Sequence, residues 1–163
     1  MRKYILFFCL MIPLSFWAQY LLPNEETLFS FQTKNGKMMS LVKDKNNGYI
    51  QYRFGSKHVE MEFPAERNKE SWKKFHYNSY MRGGGKQNAG MEVDNLLFTN
   101  NGYQYVVFRT YFAEDEKYAA GIIITDSKGK ETRISANYKT VKGCICRVED
   151  TGMIQKEDIG LIF

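Results

Sequence analysis

The sequence is poor in the side chains on which most catalytic and metal chemistry depends, with two histidines and three cysteines in 163 residues. A tetrahedral zinc site draws its four ligands mainly from these two types, so no metal-organised module is expected. Only three prolines occur, and no Asn-x-Ser/Thr sequence, so nothing marks a glycosylated secretory product. Blocks of five or six like charges are missing, and with them the footprint of a nucleic-acid-binding arm or a polybasic membrane anchor. Gly-x-Ser-x-Gly is missing too, which removes the sharp strand-turn-helix that exposes a nucleophilic serine. No repeat of fixed period is visible, so a solenoid or propeller is not expected.

What is present begins with a charge step. Arg2 and Lys3 are followed by Tyr4 to Trp17 without one charged residue, the pattern of a translocation signal. Ala18 supplies the small residue before a cut, while Phe16 stands where a second small residue is preferred. The expectation is a signal peptide over 1–18. The alternative is an uncleaved anchor to about Leu22, since the apolar stretch reaches roughly the ~18 residues of a membrane-spanning helix. Both readings place the following chain outside the cytoplasm, in the periplasm or medium, because Arg2 and Lys3 stay inside. Membrane contact is expected only if the leader is retained. Cys9 lies behind Leu6, Phe7 and Phe8, too bulky for a lipidation site.

Removal of 1–18 takes away Arg2 and Lys3 and no acid, so the formal charge falls from +5 to +3. An aromatic content of 15% in about 145 residues points to one domain with a real core rather than to disorder. The segment 19–26 reads as a linker and 27–163 as a single β-rich domain. From Thr27 onward, short β-branched and aromatic runs alternate with turn signals, among them Asn35-Gly36, Asn47-Gly48 and Asn101-Gly102. The pattern predicts strands at 27–33, 37–44, 49–55, 57–63, 75–82, 91–99, 103–113, 117–125, 130–137 and 141–148. Val59, Met61 and Phe63 alternate with His58, Glu60 and Glu62, and Ile50, Tyr52 and Phe54 point inward in the same way. One short helix is expected at 65–74 after Pro64, docking Trp72 and Phe75. The fold class is all-β, a small antiparallel barrel or a two-sheet sandwich of about 8–10 strands, with the up-and-down barrel favoured because closure removes sticky edges.

The least ordinary loop is Arg82-Gly83-Gly84-Gly85-Lys86-Gln87-Asn88-Ala89-Gly90. It is not a phosphate cradle. Tyr80 stands where a P-loop needs its first glycine, Gln87 where it needs Ser or Thr, and Asn88 where a dinucleotide fingerprint needs its third glycine. Two readings stay open, a plain hairpin loop and a partner-binding loop in which Arg82, Gly83, Gly84, Gly85, Lys86, Gln87 and Asn88 offer backbone and side-chain hydrogen bonds. Tyr77, Tyr80 and Tyr103 are expected near its base. His58 with Glu60 and Glu62 shares one strand face, a spacing open to metal ligation or to simple solvation. The pairs Glu92/Asp94 and Glu114/Glu116 could be written as acid and base, but they lie in polar stretches where carboxylates are normally solvated. No catalytic residue, cofactor or metal is therefore assigned.

Cys144 and Cys146 remain after the leader. On an extended strand their Cα atoms would lie roughly 6.5 to 7 Å apart, at the limit for bridging. A local disulfide, two free thiols, and a redox or metal role all stay open.

A leader, a compact antiparallel β domain, an exposed loop at 82–90 and no catalytic set together resemble the small exported Gram-negative bacterial barrel proteins of the lysozyme-inhibitor and immunity-protein kind. The resemblance implies a non-enzymatic binding protein that occludes or sequesters a protein partner in the cell envelope, with Lys86 placed by loop position to enter it. The alternatives are a carrier of a small apolar ligand and an unrecognised cell-envelope enzyme.

Overall fold

The computed structural model describes residues 20–163, so the leader expected over 1–18 lies outside the described residues. Ten strands follow in chain order: β1 (Glu25–Gln32), β2 (Met38–Asp44), β3 (Ile50–Gly55), β4 (Val59–Phe63), β5 (His76–Arg82), β6 (Met91–Asn100), β7 (Tyr103–Phe112), β8 (Lys117–Thr125), β9 (Glu131–Ser135) and β10 (Lys142–Gly143). They form two antiparallel five-stranded sheets, ordered β10-β1-β2-β3-β4 and β5-β6-β7-β8-β9. The expected all-β class is thus realised as a two-sheet arrangement, and the favoured closed barrel is not formed. The break falls between β4 and β5, where residues 64–75 make a structured crossing instead of a hairpin. At the other side the corners of the sheets are joined by the Thr33–Ala136 bridge, the 2.7 Å bond from Asn137 N–H to the Gln32 carbonyl and the 3.3 Å bond from Lys34 N–H to the Ser135 carbonyl.

Turn chemistry sets the registers. Asn101 and Gly102 both take positive φ, 50° and 79°, as a two-residue hairpin with the right twist requires, and they join β6 to β7 in ten-residue register. The core lies between the sheets. Phe29, Phe31, Met39, Leu41, Ile50 and Tyr52 from the first meet Tyr77, Leu96, Phe98, Val107 and Ile122 from the second. Phe98 is the hub, with Phe63 at 4.5 Å, Tyr105 at 4.8 Å and Phe75 at 5.4 Å between ring centroids, so aromatic rings fill the centre.

The crossing is a 3-10 helix over Lys69–Lys74, shorter than the helix expected at 65–74. The physical reason lies just before it. The Pro64 carbonyl accepts from Gln51 Nε2 at 2.8 Å and the Arg67 side chain reaches Gln51 and Glu62, so this stretch is held as coil over β3 and β4. Asn68 then caps the helix by accepting from the Glu70 N–H at 2.9 Å. Trp72 and Phe75 are buried as expected, with Trp72 Nε1 donating to the Asn47 carbonyl.

β3 alternates as predicted on its inner face, but Gln51 and Arg53 on its outer face are buried as well. Arg53 is covered by the segment from Tyr20, which the sequence suggested was a linker, and Gln51 by Pro64 and Arg67. β1 already begins at Glu25, and Tyr20 is buried with its hydroxyl donating to the Ser56 and His58 carbonyls. At the other end of the chain, residues 156–163 run across the outer face of the second sheet. Asn78 Nδ2 donates to the Gly160 carbonyl, and Asn95 exchanges bonds with the Ile162 backbone at 2.6 and 3.2 Å. Ile162 thereby packs on the cluster of Leu97, Val106, Phe108 and Ile123.

Candidate functional site

Side chains two residues apart on a strand share a face, and paired residues on neighbouring strands stand side by side. The inner face of the second sheet therefore reads as a series of cross-strand rows. Tyr77, Leu96, Val107 and Ile122 form one row within the core. One step further out come Ser79, Asp94, Arg109 and Ala120, and one more step gives Met81, Glu92, Tyr111 and Tyr118. The rows grade from apolar and buried, through a buried ionic row, to an exposed amphipathic row. Met81 is 74% and Tyr118 49% exposed. Tyr118 stacks between Tyr111 at 4.4 Å and Tyr138 at 5.2 Å, so three tyrosines make a continuous aromatic ridge.

The middle row carries the unusual electrostatics. Arg109 Nη1 lies 3.2 Å from Asp94 Oδ2 and 3.4 Å from Glu92 Oε2. Burial drives the Asp94 carboxyl above the ordinary carboxylate range, and the Arg109 charge opposes this without reversing it. Beneath it lies the buried Tyr77 hydroxyl, beside Ser79 and Asp94, and burial pushes its pKa up to about 12. Above it sits Cys144, whose Sγ is 3.6 Å from Asp94 Oδ2 and 4.0 Å from Arg109 Nη1.

Cys144 and Cys146 form a disulfide with Cα atoms 5.1 Å apart. The strand expected at 141–148 does not continue that far. β10 ends at Gly143, which takes a positive φ of 75°, and a 3-10 helix runs from Ile145 to Thr151 with Cys144 as its N-cap. That compaction brings the two sulfurs within reach, where an extended strand would have held them at the limit. Buried Ile145 and Val148 anchor the turn in the core.

The loop of Arg82, Gly83, Gly84, Gly85, Lys86, Gln87 and Asn88 emerges directly from the exposed row, at the junction of β5 and β6. It is a built turn. A short 3-10 helix spans Gly85–Asn88, Arg82 Nε and Nη2 donate to the Ala89 carbonyl, and Asn88 Nδ2 donates to the Gly83 carbonyl. Arg82 is thus turned inward to close the loop, whereas Lys86 faces out in an exposed 2.8 Å pair with Glu116. A shallow cavity of about 190 Å³ between the loop and the exposed row is lined by Met81, Arg82, Glu92 and Tyr111 among others. Of the tyrosines expected at the loop base, Tyr77 is in the core, Tyr80 is on the outer face, and Tyr103 opens β7 at the opposite end of the sheet.

The other sequence candidates are structural. Glu60 pairs with Lys37, and Glu62 with Arg53 and Arg67, so the face of His58 is an ion-paired surface. His76 contacts Glu157 at 2.9 Å. No group of three metal-ligating side chains occurs among the described residues. Glu92 and Asp94 converge on one arginine, whereas Glu114 and Glu116 lie on the β7–β8 turn. Sequence reasoning missed Tyr111, Tyr118, Tyr138 and Arg109. The signal was available in part, since Arg109, Tyr111 and Tyr118 alternate correctly once the β7–β8 hairpin is drawn.

Fold and site together define a two-sheet antiparallel β protein with one exposed aromatic end. No protein-family model matches the chain, and no curated protein and no solved structure matches it.

Proposed function

We propose that this chain is an exported, non-enzymatic binding protein that occludes or sequesters a protein partner in the cell envelope, in the manner of a lysozyme inhibitor or a toxin-immunity protein. The observation that carries this reading is the exposed row of Met81, Glu92, Tyr111 and Tyr118, continued by Tyr138 and flanked by the ordered 82–90 loop. Tyrosine and methionine are enriched at protein interfaces because they offer large contact areas at low entropic cost, and here they stand outside the core. The loop is already ordered, so docking it requires little further loss of freedom. Lys86 is held only by an exposed ion pair, which costs little to exchange for a partner carboxylate.

The ring stack centred on Phe98 favours this surface over an interior ligand site. The test is affinity capture from the native cell envelope with the mature domain and its Tyr118→Ala variant as paired baits. A protein retained by the first and lost from the second supports the reading. Equal recovery on both, or no specific recovery, overturns it.

A further inference from the structure

The Cys144–Cys146 bridge closes a ring around a single intervening residue. A cross-link over so short a loop removes little entropy from the unfolded chain, so it contributes little to holding the fold. The turn that carries it is anchored by other means. Cys144 N–H donates to the Leu28 carbonyl at 3.0 Å, Arg147 Nη1 donates to the Thr27 carbonyl at 3.0 Å, and Ile145 and Val148 are fully buried. The two sulfurs also differ in setting: Cys146 is an exposed residue, while Cys144 is partly covered and faces buried Asp94 and half-buried Arg109. A buried carboxylate on the inner face of a sandwich is costly and has no packing advantage over an apolar side chain. Its position 3.6 Å from one sulfur of an accessible disulfide gives it a chemical use.

We propose that Cys144–Cys146 is a thiol–disulfide exchange centre, entered at the exposed Cys146 Sγ, with Cys144 as the leaving and resolving sulfur held by Arg109 and Asp94. A thiolate, RS⁻, attacks Cys146 Sγ. The Cys144–Cys146 bond breaks, its electron pair moves to Cys144 Sγ, and a mixed disulfide forms between R and Cys146. The new thiolate faces the Arg109 guanidinium, and it takes up a proton from water relayed through Asp94 Oδ2. A second RS⁻ attacks the R-bound sulfur and releases Cys146, which is protonated from solvent. Two thiols are then oxidised to RSSR and one protein disulfide is reduced to two thiols. In reverse, Asp94 takes the proton from Cys144, whose thiolate resolves the mixed disulfide. This activity does not depend on the partner-binding reading, because a small thiol suffices to show it.

The test uses the full mature chain with glutathione as the thiol, quenching by alkylation and mass reading of each cysteine. The wild-type disulfide is expected to be reduced in the native state, with an unchanged circular dichroism spectrum and at a rate that low concentrations of urea do not accelerate. Given glutathione disulfide in place of the thiol, Cys144→Ser should exchange once at its free Cys146 thiolate, releasing one glutathione and accumulating a stable glutathione adduct on Cys146 that no second cysteine resolves. Asp94→Asn should slow native-state reduction by about a hundredfold, the lower end of what a positioned acid or base supplies. Reduction only in proportion to the globally unfolded fraction overturns the proposal, as does an adduct in the wild-type chain on Cys144 instead of Cys146. If Asp94→Asn does not fold, those two wild-type readings decide alone; if it folds and reacts at the wild-type rate, the proton relay is overturned.

Discussion

Arg53 and Glu25 meet on the outer face of the first sheet through two parallel hydrogen bonds of 2.6 Å, with side chains 1% and 0% exposed. Every remaining polar group of the pair is also engaged. Tyr49 and the Leu22 N–H donate to Glu25, and Arg53 donates to the Tyr20 carbonyl, Gln51 and Glu62. Such a pair is weak evidence of net stabilisation, but removing one partner leaves a buried charge uncompensated. Arg53→Met is therefore expected to lower unfolding free energy by about 3–5 kcal/mol. A urea titration of variant against parent reads it, and an unchanged midpoint would contradict the arrangement.

Acid should act through the same group. Burial pushes the Glu25 carboxyl up, yet the bonds from Arg53, the Leu22 N–H and Tyr49 together outweigh it and leave the pKa below its ordinary value of 4.5. A carboxylate with a depressed folded pKa contributes stability that is fully present above the unfolded value and is lost as pH falls through the folded one. The chain should hold its urea midpoint down to about pH 5 and lose it progressively below 4.5. Glu25→Gln should start from a lower midpoint and show a shallower fall.

Much of this fold was legible in the residues. Strand positions from β1 to β9 follow from period-two alternation and from Asn-Gly turns, both of which are local signals. The choice between barrel and sandwich was not local. It depends on Pro64 and Arg67 being tied to Gln51 of β3 and Glu62 of β4, which only the folded sheet brings together. The same holds at Gln51 and Arg53, which alternate as outward polar residues and become buried because Pro64 and Arg67 close over the first and Tyr20 to Glu25 over the second. The 82–90 loop was visible as a glycine run, but the aromatic ridge beside it is assembled from β7, β8 and Tyr138, and Tyr138 sits outside any strand. The register that aligns Arg109 with Asp94 and brings Cys144 over both is likewise a tertiary fact.

The carboxy-terminal strap can be removed without deleting any of the ten strands, although it takes with it the 2.8 Å bond from the Glu157 N–H to the Tyr77 carbonyl of β5. Deleting 157–163 takes Ile162 off Leu97, Val106, Phe108 and Ile123, and removes the bonds from Asn78 and Asn95. Losing the partly buried Ile162 and at least four hydrogen bonds should cost about 3 kcal/mol. The shortened chain is expected to remain folded, to unfold at lower urea, and to bind the dye ANS through the uncovered apolar face. Parent-like stability and no dye binding would show that the strap does not cover that face.

Gly143 fixes where the disulfide turn begins. At its φ of 75° an added Cβ would lie 2.0 Å from the Leu28 carbonyl oxygen, the acceptor for the Cys144 N–H. Gly143→Ala combines a disfavoured backbone conformation with a clash against the backbone of β1. The expected cost is about 3 kcal/mol or more. Faster proteolysis between 141 and 152 should accompany it, because the turn carrying Ile145 and Val148 is what the clash lifts away.

Met81 and Tyr118 test the exposed row from the opposite direction, since they stand at its two ends and neither belongs to the buried core clusters. Surface truncations away from packed features usually change stability by within about ±0.5 kcal/mol, so Met81→Ala should unfold with the parent, while Tyr118→Ala, which gives up its contacts with Tyr111 and Tyr138, should cost about 1–2 kcal/mol and stay folded. Binding should respond differently. Aromatic anchors at the centre of an interface commonly cost about 2 kcal/mol when truncated, roughly a thirtyfold loss of affinity, whereas a residue at the rim costs far less. Tyr118 is stacked on both sides and so arrives at a partner already ordered, which makes it the stronger anchor of the two. Titration calorimetry with a captured partner should therefore rank Tyr118→Ala well below Met81→Ala and leave Tyr103→Ala, at the far end of β7, at parental affinity. If Tyr103→Ala weakened binding as much as Tyr118→Ala, the docking surface would have to be moved to the opposite end of the sheet.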